Sequence, residues 1–239
     1  MKILAFDSTA KVASCAVCDE EMLLSQYTVD NGLTQSELLL PMAEDMLRQL
    51  KLTFDDIELY AASVGPGSFT GVRIGTALIK GLAFGKNTPC VEVSTLEALA
   101  YNLLGINGII IPAMDARRGQ VYTAMFKSKD GEMVRLSEDS AISISALAEM
   151  LKKYTKDDIY LCGDGYFVAK KALSECGIET KSTPALLINE NAASVARVAY
   201  LKYKSGIYTN DVSVKPTYLR MPQAERERLE KLKISEAKQ

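Results

Sequence analysis

The sequence predicts an α/β protein in which one unit is used twice, each copy running βββαβαβα, to give two packed lobes. Three observations carry this. An apolar strand that closes on aspartate occurs as Ile3-Leu4-Ala5-Phe6-Asp7 and again as Ile109-Ile110-Ile111-Pro112-Ala113-Met114-Asp115. A glycine-rich link from a later strand into a helix occurs as Val64-Gly65-Pro66-Gly67 and as Cys162-Gly163-Asp164-Gly165. The order of elements around these landmarks is the same in both halves.

In the first half, residues 2–7, 13–19 and 22–29 read as three strands. Thr34-Gln35-Ser36-Glu37 has capping-box spacing and opens a helix over 34–50. A strand at 57–64, a helix at about 70–85 that Ser68 or Thr70 would cap, a strand at 90–93 and a helix at 95–104 complete the unit. The second half repeats it with strands at 109–115, 121–127 and 133–137 and a helix near 145–154. A strand at 158–162, a helix near 166–175, a short strand near 180–183 and a helix at 191–205 follow. Asn191 reads as the cap of that last helix and Gly206 as its stop. No Pro- or Ser-rich linker separates the halves, so close packing is expected of lobes at 1–106 and 107–220, with helix 191–206 free to pack back on the first. The tail 221–239 is nearly all charge between Glu225 and Lys233 and reads as a solvated helix or frayed end.

The doubled order is the plan of the actin-like ATPase (ASKHA, RNase H-like) fold shared with sugar kinases, in which phosphates lie between the lobes. On that plan Asp7, Ser8, Thr9, Gly65, Gly67, Ser68, Asp115, Gly163 and Asp164 would face a nucleotide or phosphate cleft. The competing reading is two unrelated α/β lobes with ordinary acidic turn residues.

Composition narrows the chemistry. The 239 residues include no histidine and no tryptophan, with 48% hydrophobic and 24% charged residues, which suits a globular chain with a sizeable core. Without histidine there is no HExxH site and no Ser-His-Asp or Cys-His pair, so no metal site is expected and no catalytic residue is assigned. The balance of 28 basic against 30 acidic residues gives no general field for nucleic acid, so tRNA contact is expected only through partners. The first strand is too short for a signal h-region and no stretch approaches a membrane span, so a cytoplasmic protein is expected. Five scattered cysteines fit reduced thiols, and Cys15-Ala-Val-Cys18 lies in an alternating run that points the two to opposite faces.

The most specific stretch is Gly65-Pro66-Gly67-Ser68-Phe69-Thr70-Gly71-Val72-Arg73-Ile74-Gly75. Free N–H groups at this helix start favour an anion that glycines would let approach, although no GxxxxGK[ST] P-loop is present. A purely structural turn and cap fits the same residues. Gly71 and Gly75 make one helix face smooth enough for a close neighbour, either this chain's own sheet or another molecule. In the preceding helix Leu39, Met42, Ala43, Met46 and Leu50 form a stripe that Leu38 and Leu40 widen. Such breadth suits a partner face or a fully buried helix.

These segments carry a resemblance. Ile3-Leu4-Ala5-Phe6-Asp7-Ser8-Thr9, Ser36-Glu37-Leu38-Leu39-Leu40-Pro41, the Gly65–Gly75 stretch and Pro216-Thr217-Tyr218-Leu219-Arg220 resemble the bacterial TsaB (YeaZ) family over residues 1 to about 220. The resemblance implies an actin-like fold and a non-catalytic role in making N6-threonylcarbamoyladenosine at position 37 of tRNA. It implies pairing with a TsaD-type catalytic subunit, joined by a TsaE-type ATPase, and homodimerisation through the same helices when alone. The contact surface would then comprise Leu38, Leu39, Met42, Met46 and Leu50 on the first helix and Thr70, Arg73, Ile74, Ala77 and Leu78 on the second. No cofactor is assigned to this chain alone, ATP or ADP being left to the assembled complex. Gln35 stands where many family members have histidine. The alternative is a stand-alone ATP-dependent phosphotransferase built on Asp7 and Asp115; a glycoprotease-like metallopeptidase is disfavoured because the chain lacks histidine.

Overall fold

A computed structural model of the chain describes residues 1–220; the expectation for the tail lies outside them. The first lobe follows the predicted order: β1 (Lys2–Asp7), β2 (Ala13–Asp19), β3 (Met22–Val29), α1 (Gln35–Gln49), β4 (Leu59–Ser63), α2 (Phe69–Ala83), β5 (Cys90–Val93) and α3 (Thr95–Tyr101). Its sheet runs β3-β2-β1-β4-β5, antiparallel from β3 to β1 and parallel from β1 to β5. The capping box forms as the sequence predicts, with the Thr34 N–H and hydroxyl donating to Glu37 Oε2 at 3.1 and 2.7 Å. Thr34→Ala is therefore expected to cost about 1 kcal/mol, read as a lower urea midpoint at unchanged m-value.

The second lobe contains β6 (Gly108–Asp115), β7 (Gln120–Thr123), β8 (Phe126–Lys129), β9 (Glu132–Arg135), β10 (Ser140–Ser143), α4 (Ile144–Leu151), β11 (Ile159–Cys162), α5 (Tyr166–Glu175) and α6 (Ala192–Lys204). It departs from the expected unit in two ways. The predicted second strand is broken in two, and a further strand, β10, follows the third. β7 and β8 share one register against β6 (Ala113↔Thr123, Ile110↔Phe126), and the break falls opposite Pro112. Proline has no N–H for that edge, and its carbonyl is taken by the Thr123 hydroxyl at 2.7 Å. The chain between β7 and β8 turns instead to the outer strand, where Leu136 N–H donates to Met125 O at 2.7 Å and Met125 N–H to Ser137 Oγ at 2.9 Å. β9 and β10 pair with β8 and β7 on either side of that interruption. Second, the strand expected at 180–183 shrinks to one bridge, Tyr160↔Lys181. Its next contact to Leu161 O comes from the Thr183 hydroxyl at 2.7 Å, and Pro184 ends further pairing.

The two sheets stack with helices outside and between. α1 and α2 cover the outer face of the first sheet, where Leu39, Met42, Ala43, Met46 and Leu47 pack with Leu4, Phe6 and Tyr60. α4 and α5 cover the outer face of the second sheet. The two helices between the sheets each reach beyond their own half: α6 closes the inner face of the first sheet through Val195, Ala196 and Ala199, and α3 packs Leu96, Leu99 and Ala100 on the second. Cys15 and Cys18 belong to clusters on opposite faces of the first sheet, as the alternation requires.

Candidate functional site

In the first lobe, the strand ends that were expected to face a ligand are closed off by the chain's own backbone. Asp7 is buried and accepts hydrogen bonds from Ser63 Oγ at 2.5 Å, Thr9 N–H at 2.9 Å and Thr9 Oγ1 at 2.7 Å. Burial pushes its carboxyl above the ordinary range and these three bonds pull it back. Its role is to fix the β1–β2 turn. That turn then plugs the start of α2: Ser68 N–H donates to Thr9 O at 2.6 Å and Ser8 Oγ to Gly71 O at 2.8 Å. A Cβ at Gly67 would lie 2.5 Å from Thr9 O, and one at Gly65 would lie 2.3 Å from Thr217 O. The glycines serve close approach, as expected, but to this chain's carbonyls rather than to an anion. Gly71 and Gly75 meet Ser8 in the same way, which assigns the smooth helix face to this chain's own β1–β2 turn.

The second lobe repeats the device. Gly165 N–H donates to Ala113 O at 2.9 Å, and Gly163 is pressed against the same carbonyl. Here the acids reach solvent: Asp115 N–H donates to Asp164 Oδ1 at 3.0 Å, and Asp115 Oδ1 accepts from Arg117 N–H at 2.7 Å. The concave wall around Asp164 desolvates its carboxyl and raises its pKa, with the Asp115 charge adding to the effect and the Lys11 ammonium opposing it.

Between the lobes lies a cleft of about 590 Å³. Of the predicted cleft residues, Thr9, Gly67, Ser68, Asp115 and Asp164 line it; Asp7, Ser8, Gly65 and Gly163 lie beneath its walls. Sequence reasoning missed Lys11, Arg117 and Tyr122, which complete the lining with Arg220. The closing segment bridges the rim. Thr217 N–H donates to Val64 O at 2.8 Å, Tyr218 stacks on Phe69 at 4.3 Å, and Arg73 lies 4.1 Å over Phe69 with its Nε donating to Tyr218 Oη at 2.9 Å. Arg220 then crosses to the second lobe, donating to Ala116 O at 2.9 Å with its guanidinium 5.6 Å from the Tyr122 ring. Among the described residues no group of three or more Cys, Asp or Glu side chains is placed to hold a metal ion. The cleft offers cations and carboxylates side by side for polar recognition.

Beside the cleft is the α1/α2 surface. Leu39, Met42 and Met46, expected on a partner face, are 1%, 8% and 0% exposed in the first lobe's own core, so they are withdrawn from it. The physical reason is that a stripe of heptad spacing fits one sheet as well as one partner. What stays open is Thr70, Arg73 and Ala77, which are exposed, with half-buried Leu38, Leu50, Ile74 and Leu78 beside them. Leu40 is also exposed. Gln35 Nε2 donates to Ala10 O at 2.9 Å, tying the first turn of α1 to the cleft edge.

Two lobes that each pair their first strand antiparallel with the next and parallel with a later one, meeting over a polar cleft with that first strand ending in aspartate, define the class: an actin-like ATPase fold. The family model for TsaD, tRNA N6-adenosine threonylcarbamoyltransferase, matches residues 34–228. The chain is 29% identical over 233 residues, 98% of its length and 100% of the relative's, to the tRNA threonylcarbamoyladenosine biosynthesis protein TsaB of Bacillus subtilis. To the protein of the same name from Escherichia coli it is 28% identical, over 92% of this chain and 95% of that one. The solved structure of YeaZ from Pseudomonas aeruginosa superposes with a TM-score of 0.75 at 23% identity, covering 91% of this chain and 99% of that one. The chain belongs to the TsaB (YeaZ) family, within the wider threonylcarbamoyltransferase family whose model it matches. Among the described residues no helix is long and apolar enough to cross a membrane.

Proposed function

We propose that this chain takes part in tRNA threonylcarbamoyladenosine biosynthesis as a non-catalytic, cytoplasmic subunit that supplies a docking face to a TsaD-type transferase. The observation that carries the reading is the α1/α2 surface: after the first lobe has taken its own core, Thr70, Arg73 and Ala77 and the half-buried Leu38, Ile74 and Leu78 remain as a mixed apolar and polar surface on two adjacent helices, with the small side chain of Ala77 in the middle of α2. Small residues let another helix pair approach closely. The same surface serves a homodimer when the partner is absent, a TsaE-type ATPase joins the assembled pair, and tRNA and nucleotide are handled by the complex. Absence of histidine from the chain supports leaving the chemistry to the partner.

The phosphotransferase reading, built on Asp7 and Asp115, needs a carboxylate at the reacting centre, and Asp7 is buried with its oxygens already hydrogen-bonded, which leaves Asp115 of that pair. One experiment separates the two. Depleting the gene is expected to remove the modified nucleoside from tRNA position 37, weighed by mass spectrometry, and Asp115→Asn is expected to restore it as well as the unaltered chain does. Persistence of the nucleoside after depletion would sink the proposed pathway role, and failure of Asp115→Asn alone would favour chemistry in this chain.

A further inference from the structure

Glu190 takes no part in the cleft or the docking face, yet it is the least accommodated charge among the described residues. It is 2% exposed, and neither carboxylate oxygen has a hydrogen-bond partner there. Its own N–H and that of Asp164 lie close enough to favour the ionised form slightly, without reaching hydrogen-bond geometry. A buried, unpaired carboxylate costs several kcal/mol, so such a group holds its proton instead.

Its position gives that proton a consequence. Glu190 lies on the segment by which the chain returns from the second lobe to the first. Just before it, Ile188 O accepts from Gly163 N–H at 2.6 Å, fastening the segment to the second lobe. Just after it, Ala192 N–H donates to Ser14 Oγ at 3.0 Å, fastening α6 to the first sheet. Asn102, after α3, holds the carbonyls of Leu187 and Asn189 at 3.2 and 2.8 Å. The titratable groups acting on Glu190 are Asp7 from the end of β1 and Asp164 from the turn after β11, one from each lobe, and both are acidic. Cys162, at the end of β11, feels the Glu190 charge in turn and has its thiol pushed up, chiefly by burial. The cation reaching this group of acids is Lys11, which acts on Asp164. At this point α6 contributes Ala192, Ala193 and Ser194, whose hydroxyl donates to Asn102 Oδ1 at 2.6 Å, and none of these four residues is charged.

We propose that Glu190 is a proton-dependent latch between the two lobes: protonated, it lets the strand ends bearing Asp7 and Asp164 sit together, and ionised, it drives them apart at the crossing segment. Burial, with the like charges of Asp7 and Asp164 behind it, raises its pKa from the ordinary 4.5 to about 8, so the latch works across the near-neutral range. The folded state holds a proton that the unfolded chain has released above its ordinary value. The stabilisation is therefore complete below pH 4.5 and lost as pH rises through about 8.

Glu190→Gln, an uncharged isostere of the protonated acid, supplies the test in the full-length chain. The unfolding equilibrium constant of the unaltered chain, divided by that of Glu190→Gln, should climb by up to about tenfold per pH unit between roughly pH 5 and 8 and then level off. Carboxyl ¹³C NMR of the unaltered chain should show one glutamate titrating near 8, absent from the variant. Small-angle scattering should show the unaltered chain expanding above that pH while Glu190→Gln does not. No glutamate titrating above pH 7, or a radius of gyration with the same pH course in both proteins, would overturn the proposal. Should Glu190→Gln not fold, the NMR titration and scattering of the unaltered chain decide it: a glutamate titrating near 8 together with expansion supports the latch, and either one missing overturns it.

Discussion

Gly71→Ala is expected to lower stability by roughly 3 kcal/mol or more, although alanine is the better helix former at most interior positions. A Cβ there would lie 1.8 Å from the Ser8 carbonyl oxygen, and that atom cannot retreat. Thr9, the next residue, is held by Asp7, which is itself held by Ser63 on β4. The whole junction of β1, β4 and α2 has to move to admit one methyl group. For a chain of this size the loss corresponds to a fall in Tm of about 6–12 °C, measured by calorimetry. Gly81→Ala is the matched control in the same helix. Nothing lies within 4 Å of a Cβ at that position, so the substitution should stabilise by up to about 1 kcal/mol. Equal effects at the two positions would mean that helix propensity, rather than contact with the β1–β2 turn, governs the glycines of α2.

Ala77→Glu is expected to leave the isolated chain's Tm within about 1 °C and to weaken association with a TsaD-type partner by roughly thirtyfold or more. Ala77 is exposed in the middle of α2, and glutamate is tolerated in a solvated helix. In a helix-to-helix contact it would bury an unpaired charge. The same variant should turn any homodimer into monomer by analytical ultracentrifugation, while Lys171→Glu on the far side of the second lobe should do neither. Undiminished binding of Ala77→Glu would remove α2 from the interface. Met42→Asp cannot serve this purpose, because Met42 is 8% exposed in the core beneath α1 and its replacement would report on folding.

The first lobe was legible in the sequence because its elements are bounded by local signals: a capping box at Thr34, a cap at Ser68 and strand runs ending at turns. The second lobe was legible in order and less so in detail. Pro112 is visible in the sequence, but proline breaks the strand opposite it, and that strand is known only once the register is. The strand expected at 180–183 fails for a related reason, since a hydroxyl at Thr183 takes the place of a backbone donor. Of the cleft, the aspartates at strand ends were readable, whereas Lys11, Arg117 and Tyr122 come from unremarkable loop and strand positions that only the meeting of the lobes brings together. Glu190 sits in Ile188-Asn189-Glu190-Asn191, which reads as a polar loop and carries no local sign of burial.

Composition and periodicity by themselves determined that this is a duplicated α/β chain without imidazole chemistry, because residue counts and alternation are properties of the chain alone. The tertiary structure decided which apolar stripe belongs to the core and which surface is left over, because a helix face carries no mark of whether its neighbour is its own sheet or another molecule. It also decided that the glycines around α2 receive the chain's own carbonyls, since close approach needs a glycine whatever atom approaches.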